Sequence, residues 1–360
     1  MNGKKIEFLY RGRVSPLTHI RFATRERVGS FNGGAYYRSN EVCDVGLQIK
    51  PSYKNEPTLL DTKGLLEARG NYVFGGMLQN EHFGHFIGES LCRVWAFSQL
   101  DPSFNSLVFY RRNISLPVAG FVKQVLSIVS PGVSLYIVDA PTQFDMLAVP
   151  EQITDVGSGF VHGHVLMHGF QKKMQAIGEG GAKRVFVSRS KLSRREGGFF
   201  GDRLLDHYLE AEGYHVIYPE RMTIEEQLAA YNGADQLIFS EGSSLHLYAL
   251  AAKPAQEVFV IWRRMRHTMF DWQVQSFGAK PLMGKPWIEQ LWVPENEIPD
   301  AVHGLSVLNF KLLSNELHEA GFITAPGWDG PTEEAINEEL EVISVKTNRK
   351  FRNVGRRMVD

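Results

Sequence analysis

The chain has 360 residues, long enough for two domains with separate cores. Its 43% hydrophobic and 22% charged content is that of an ordinary globular protein rather than a disordered or fibrous one. A formal net charge of −1 gives no whole-molecule field for nucleic acid or an anionic membrane.

Two cysteines, Cys43 and Cys92, are too few for a disulfide framework, and Cys92 sits in an apolar pattern as a small buried hydrophobe. The amino terminus lacks an apolar signal core, and no stretch approaches the ~20 apolar residues of a membrane span. The expectation is a cytoplasmic protein, with peripheral membrane association left open.

Residues 1 to 70 show short β-like runs broken by Gly, Asn and Pro, and no function is assigned to them. Tyr72-Val73-Phe74 reads as a strand closed by Gly75-Gly76. Gly84 to Leu100 reads as one helix. Leu107 to Tyr110 and Leu135 to Val138 are strands flanking a helix from Val118 to Val129, an alternation that predicts a parallel sheet with crossovers. A helix over Val161 to Ile177 empties into Gly178-Glu179-Gly180-Gly181, the natural hinge between two α/β domains. This divides the chain into 1–178, 179–300 and an extension over 301–360.

The second domain begins with the strand Val185 to Ser188, which breaks into a polar loop, Arg189 to Glu196. A helix carrying Leu204, Leu205, Tyr208 and Leu209 and a strand at His215 to Tyr218 follow. Thr223 and Glu226 make a capping box for the next helix. The strand Gln236 to Phe239 ends in Ser240-Glu241-Gly242-Ser243-Ser244-Leu245-His246, and Val258 to Trp262 is a further strand. Beyond 300 the pattern weakens to an acidic helix over Glu333 to Glu341 and a mobile basic tail, Lys346 to Arg357. No internal repeat is present.

Ligands of open parallel sheets bind outside the carboxyl ends of the strands, where both polar loops fall. Arg189, just past a strand end, suits phosphate oxygens with its planar fork, although Arg194 and Arg195 also fit a basic surface loop. Gly242 lets backbone approach closely, and the helix opened by Ser243 and Ser244 is an anion site. Glu241 suits ribose hydroxyls. In Glu81-His82-Phe83-Gly84-His85-Phe86-Ile87-Gly88-Glu89, His85, Glu89 and Arg93 fall at i, i+4 and i+8 of one helix face. They can tune an acid–base group and bind an anion, or Glu89 and Arg93 can form a plain surface salt bridge.

Other chemistries fit less well. Gly278 and Gly284-Lys285 have the wrong spacing for a Walker A loop. Gly242-Ser243-Ser244-Leu245-His246 ends in His where a hydrolase elbow needs Gly. His162, His164 and His168 lack a sequence partner as metal ligands.

Together these segments resemble glycosyltransferase family 61, whose bacterial members occur in capsule, lipopolysaccharide and exopolysaccharide synthesis. The resemblance runs through Gly84-His85-Phe86, Glu89 and Arg93, then Val187-Ser188-Arg189, Gly213-Tyr214, Tyr218-Pro219-Glu220, Thr223 to Gln227, Ala234-Asp235 and Glu241 to His246. It covers residues 71 to about 262. Glu89 stands where Asp is commoner, and Leu247 where Asn is frequent.

The resemblance implies a two-domain GT-B architecture of two Rossmann-like domains with parallel sheets facing a cleft, and inverting transfer from a nucleotide-sugar, a UDP-sugar first of all, to a glycan hydroxyl. It places Ser188, Arg189, Arg195, Glu220, Gln227, Glu241, Gly242, Ser243, Ser244 and His246 on the donor side. Glu89 or His85, with Arg93, falls on the acceptor side, in residues 1–178. There is no Asp-x-Asp pair, so no metal is expected and the donor is the only small-molecule co-substrate. No nucleic-acid partner is expected. A non-catalytic nucleotide-sugar or glycan-binding protein remains the alternative, whereas an epimerase would need a Gly-x-Gly-x-x-Gly that is absent.

Overall fold

A computed structural model describes residues 3–355 apart from 24–26, 113, 179–180, 265–267 and 298–302. The chain divides into two compact units, Met1–Met174 and Gln175–Asp360. The expected hinge, Gly178 to Gly181, lies partly outside the described residues at 179–180. Architecture is mixed α/β with several parallel sheets.

The first unit is built on four parallel strands lying in the order Thr142–Pro150, Leu66–Leu78, Phe104–Arg111, Ser134–Val138. Antiparallel Ile6–Tyr10 and Arg13–Ser15 both pair with the Thr142–Pro150 strand, and Gly34–Tyr36 extends the edge. These short strands organise the amino-terminal segment that sequence patterning leaves irregular. The helix Gly120–Val129 turns Val122, Val125, Leu126 and Val129 inward, the one-stripe spacing of a crossover helix. Phe74, Val108, Tyr110, Phe144 and Leu147 fill the core. Each fully buried Phe, Val or Leu among them contributes about 1.5–3 kcal/mol.

Gly75-Gly76 does not close its strand. The strand runs on to Leu78, and the register with Phe104–Arg111 shifts between Phe74 and Gly76, a bulge. A Cβ at Gly75 would lie 2.3 Å from the Phe109 ring, and Gly76 has φ +88°, so both positions need glycine.

The expected Gly84–Leu100 helix is also corrected. Phe83–His85 is a single α-turn, Phe86–Ser90 is a π-helical turn and Val94–Ser98 is a 3-10 turn. The cause is tertiary. Gly88 carbonyl accepts the Val161 N–H at 2.6 Å, and Cys92 carbonyl accepts the Ile153 N–H at 3.0 Å. A neighbouring segment inserted into the ladder displaces the regular i to i−4 bonds. Val161–His164 is itself not helical, and helix begins with the 3-10 turn Val165–Met167 before His168–Gln175.

The second unit contains a five-stranded sheet, parallel throughout, in the order His215–Ile217, Arg184–Val187, Gln236–Ser240, Glu257–Ile261, Leu282–Met283. Numbered within the sheet this is 2-1-3-4-5. The chain steps one way from its first strand, then crosses to the other side, so a switch point opens between the ends of Arg184–Val187 and Gln236–Ser240. Such points are where doubly wound sheets bind ligands. The capping box forms as read: Glu226 N–H donates to Thr223 Oγ1 at 3.2 Å, and Thr223 N–H donates to Glu226 Oε2 at 2.7 Å.

A second sheet joins Gly198–Phe199, Leu305–Leu308, Ile288–Pro294 and Phe351–Asn353. Hence the carboxyl-terminal region is more ordered than its sequence pattern implies. The acidic helix extends over Glu333–Thr347, and Phe351–Asn353 of the expected mobile tail pairs with Trp292–Pro294. Arg356 and Arg357 lie outside the described residues. Among the described residues no helix is long and apolar enough to cross a membrane.

Candidate active site

In the first unit, a buried carboxylate sits beside a half-exposed imidazole. The Glu89 side chain is 4% exposed and that of His85 is 48% exposed, with His85 Nδ1 2.5 Å from Glu89 Oε1. Lys50 Nζ donates to both carboxylate oxygens at 2.9 and 2.8 Å, and Gln79 Nε2 donates to Oε2 at 2.9 Å. Burial opposes charge on Glu89, but the His85 bond and the Lys50 ammonium outweigh it and hold the carboxyl below its ordinary range.

Phe160 fixes the imidazole from one face, stacked at 6.0 Å and 25°. It can do so because Gly88 has no side chain; a Cβ there would fall 1.8 Å from the Phe160 ring. With Nδ1–H given to a carboxylate, Nε2 keeps the lone pair that can accept a proton. This is the orienting logic of a His–carboxylate pair in nucleophile activation.

Arg93 does not join this cluster. Fully buried, it donates through Nε to the Pro150 carbonyl at 2.9 Å and through Nη2 to the Leu47 carbonyl at 2.8 Å. Its Nη1 reaches Gln48 Oε1 at 3.0 Å. The helix face expected to align His85, Glu89 and Arg93 therefore yields a pair, because the π-turn breaks the i, i+4, i+8 row. Lys50 and Gln79, absent from the sequence-based candidates, complete it.

In the second unit, three guanidiniums gather where neighbouring parallel strands end. Glu241 follows the strand Gln236–Ser240 and is 0% exposed. Arg264 Nη2 lies 3.0 Å from Glu241 Oε1, and Arg263 Nε lies 3.1 Å from Oε2. Glu241, expected at a ribose, is enclosed instead by arginines, which hold its carboxyl down against the opposing effect of burial. Arg189 completes the group. Burial, then repulsion from Arg263, pulls its guanidinium down from the usual arginine range to about 10.

Arg189 and Arg263 repel one another in a poorly solvated place. An arriving anion would relieve that repulsion. Gly242 makes the arrangement possible, since a Cβ there would meet Arg189 Nη1 at 2.5 Å. The helix Ser244–Ala251 starts beside it with no side-chain cap on Ser243, so its positive end is not used up by a capping oxygen.

The glycosyltransferase 61 family model matches residues 83–258. That segment, just under half of the chain, belongs to glycosyltransferase family 61. No curated protein matches the chain. The family span holds His85, Glu89, Arg189 and Glu241, while Lys50 and Gln79 precede it and Arg263 and Arg264 follow it. Membership places the chain among transferases of sugar in general.

The other donor-side candidates of the family 61 segment fall in different places. Ser188 Oγ donates to Asp206 at 2.5 Å and accepts the Ser190 N–H at 3.1 Å, fixing the loop that carries Arg189. Gln227 is buried and donates to the carbonyls of Pro219 and Met222, so it staples the turn that presents exposed Glu220. Ser243 is exposed and Ser244 half-buried at the helix start. His246 is buried, with Nδ1 2.6 Å from Gln273 Oε1 and its ring 4.9 Å from that of Phe270. Arg195 is exposed on a 3-10 turn and faces a different cavity. Outside these groups, His164 Nδ1 accepts the Leu166 N–H at 3.2 Å and caps a helical turn.

Proposed function

We propose that the chain is an inverting glycosyltransferase that moves a sugar from a nucleotide-sugar, a UDP-sugar first of all, to a hydroxyl of a glycan. The observation that carries this is the Arg189, Arg263 and Arg264 cluster around Glu241 at the sheet's switch point. Bidentate guanidiniums and a helix start suit the diphosphate that leaves. Glu241 aligns the arginines and keeps their mutual repulsion bearable.

Inversion is one displacement: the acceptor oxygen bonds to the anomeric carbon as the carbon–oxygen bond to the diphosphate breaks. The diphosphate departs with the bonding pair, and the acceptor proton goes to a base. His85 is that base in this reading, taking the proton on Nε2 while Glu89 steadies the imidazolium through Nδ1. Glu89 serves poorly as the base itself, since both its oxygens are bonded and its basicity is reduced.

A GT-B arrangement, work in polysaccharide or lipopolysaccharide assembly, and a cytoplasmic place at the inner face of a membrane belong to the same proposal. Incubation with a panel of UDP-hexoses and glycan acceptors, read by acceptor-dependent UDP release and the anomeric proton coupling of the product, tests it. Product of inverted configuration is expected. Tight UDP binding with no transfer or hydrolysis of any donor would favour the non-catalytic binding protein.

A further inference from the structure

We propose that the second unit carries a further binding site, for an anionic saccharide, separate from the arginine cluster at the sheet ends. It lies in a cavity of about 510 Å³ between the Ser190–Arg195 loop, the start of the Asp202–Ala211 helix and the Glu333–Thr347 helix. That volume is within the ~300–1,000 Å³ of small-molecule sites.

The charges in this cavity are unevenly matched. Arg194 is committed: its guanidinium takes Asp202 at 2.5 and 2.8 Å and Glu339 at 2.7 Å. Glu339 also accepts the Gly201 N–H, at 3.4 Å, at the opening of the Asp202–Ala211 helix. The cavity thus already holds one carboxylate, in the way a ligand's oxyanion would be held, by a guanidinium and a helix-start amide. Arg195, Arg203 and Lys346 line the same space, and among the described residues none of them pairs with a carboxylate. Arg195 reaches only the Thr347 carbonyl, at 3.5 Å. Three uncommitted cations around one cavity call for a ligand with oxyanions of its own.

The rest of the lining narrows the class. No aromatic side chain borders the cavity, so a nucleobase has nothing to stack on. Leu192, Val342 and Ile343 supply an apolar bed for the C–H face of a sugar ring. A uronate-containing glycan and a sugar phosphate share the required chemistry. Only the sugar part of this inference draws on the chain's membership among glycosyltransferases; the site itself stands on the cavity and its cations. Ser190 borders the cavity and its N–H donates to Ser188 Oγ, so the loop that walls this site also carries Arg189.

The test is calorimetric titration of the full chain with trigalacturonate, glucose 6-phosphate, inorganic phosphate and the neutral trisaccharide maltotriose. Binding of trigalacturonate or glucose 6-phosphate is expected, whichever binds naming the oxyanion, with maltotriose silent. The R203A/K346A double variant changes two exposed residues and should weaken that binding at least tenfold, on the scale of a lost charge-assisted bond, with saturating UDP displacing nothing. Absence of binding by both charged saccharides overturns the proposal. So does inorganic phosphate binding as tightly as the sugar ligands, an unaffected double variant, or displacement by UDP, which would put the anion at the sheet ends. A chain that binds trigalacturonate in this cavity but not UDP would sink the donor reading and leave this one standing.

Discussion

Replacing Glu89 by Gln keeps the side chain's shape and removes its charge, and its consequences divide into stability and rate. The carboxylate is buried and receives Lys50 at 2.8 and 2.9 Å, Gln79 at 2.9 Å and His85 at 2.5 Å. The variant leaves the Lys50 ammonium, 18% exposed, against a neutral amide. Breaking a buried pair from one side costs about 3–5 kcal/mol, and the retained amide oxygen puts this case near 3. For a unit of this size that lowers its melting temperature by roughly 6–12 °C. A Lys50→Met/Glu89→Gln double variant should recover much of the loss, because no stranded charge remains. Transfer should fall ~10²–10⁴-fold in both, since His85 loses its orienting carboxylate. His85→Ala should lose as much rate with little change in melting temperature, the ring being half exposed. Differential scanning calorimetry and initial-rate assays on the variants measure both effects. Wild-type melting and wild-type turnover in Glu89→Gln would refute the buried pair. Full activity in His85→Ala with a dead Glu89→Gln would make Glu89 the base.

Three further outcomes follow from particular contacts. Gly242→Ala places a methyl 2.5 Å from Arg189 Nη1, the far end of a flexible side chain; UDP affinity by calorimetry should drop about tenfold with stability nearly unchanged. Gly88→Ala drives a methyl into the Phe160 ring at 1.8 Å, so thermal unfolding should reveal about 1–3 kcal/mol of overpacking and a slower enzyme as Phe160 leaves His85. Glu89 and Glu241 both have folded pKa values below the ordinary 4.5. Their stabilisation is therefore present above that value and lost as pH falls through the depressed folded values; urea melts should weaken below about pH 4.5 in the wild type and less steeply in Lys50→Met/Glu89→Gln.

Sequence patterning reaches the second unit's sheet because Arg184–Val187, Gln236–Ser240 and Glu257–Ile261 are short apolar runs bounded by polar breaks. The same runs locate Arg189 and Glu241 at strand ends. Arg263 and Arg264 follow the next strand, Glu257–Ile261, by the same logic, yet as adjacent arginines they read more simply as surface charge. In the first unit, the Thr142–Pro150 strand escapes notice because nearly its whole length is buried between partners on both edges, so no alternation marks it. Gly84 to Leu100 reads as a regular helix, since nothing local announces that Val161 and Ile153 will take the carbonyls of Gly88 and Cys92. Lys50 is 39 residues from Glu89 and meets it only through the fold.

The central claim, that the leaving diphosphate is held by Arg189, Arg263 and Arg264, is tested most directly by a crystal structure of the chain with UDP. The account predicts phosphate oxygens within roughly 2.7–3.2 Å of these guanidiniums and beside the Gly242–Ser244 helix start. Phosphates bound elsewhere in the second unit, with the arginine cluster still turned onto Glu241, would contradict it.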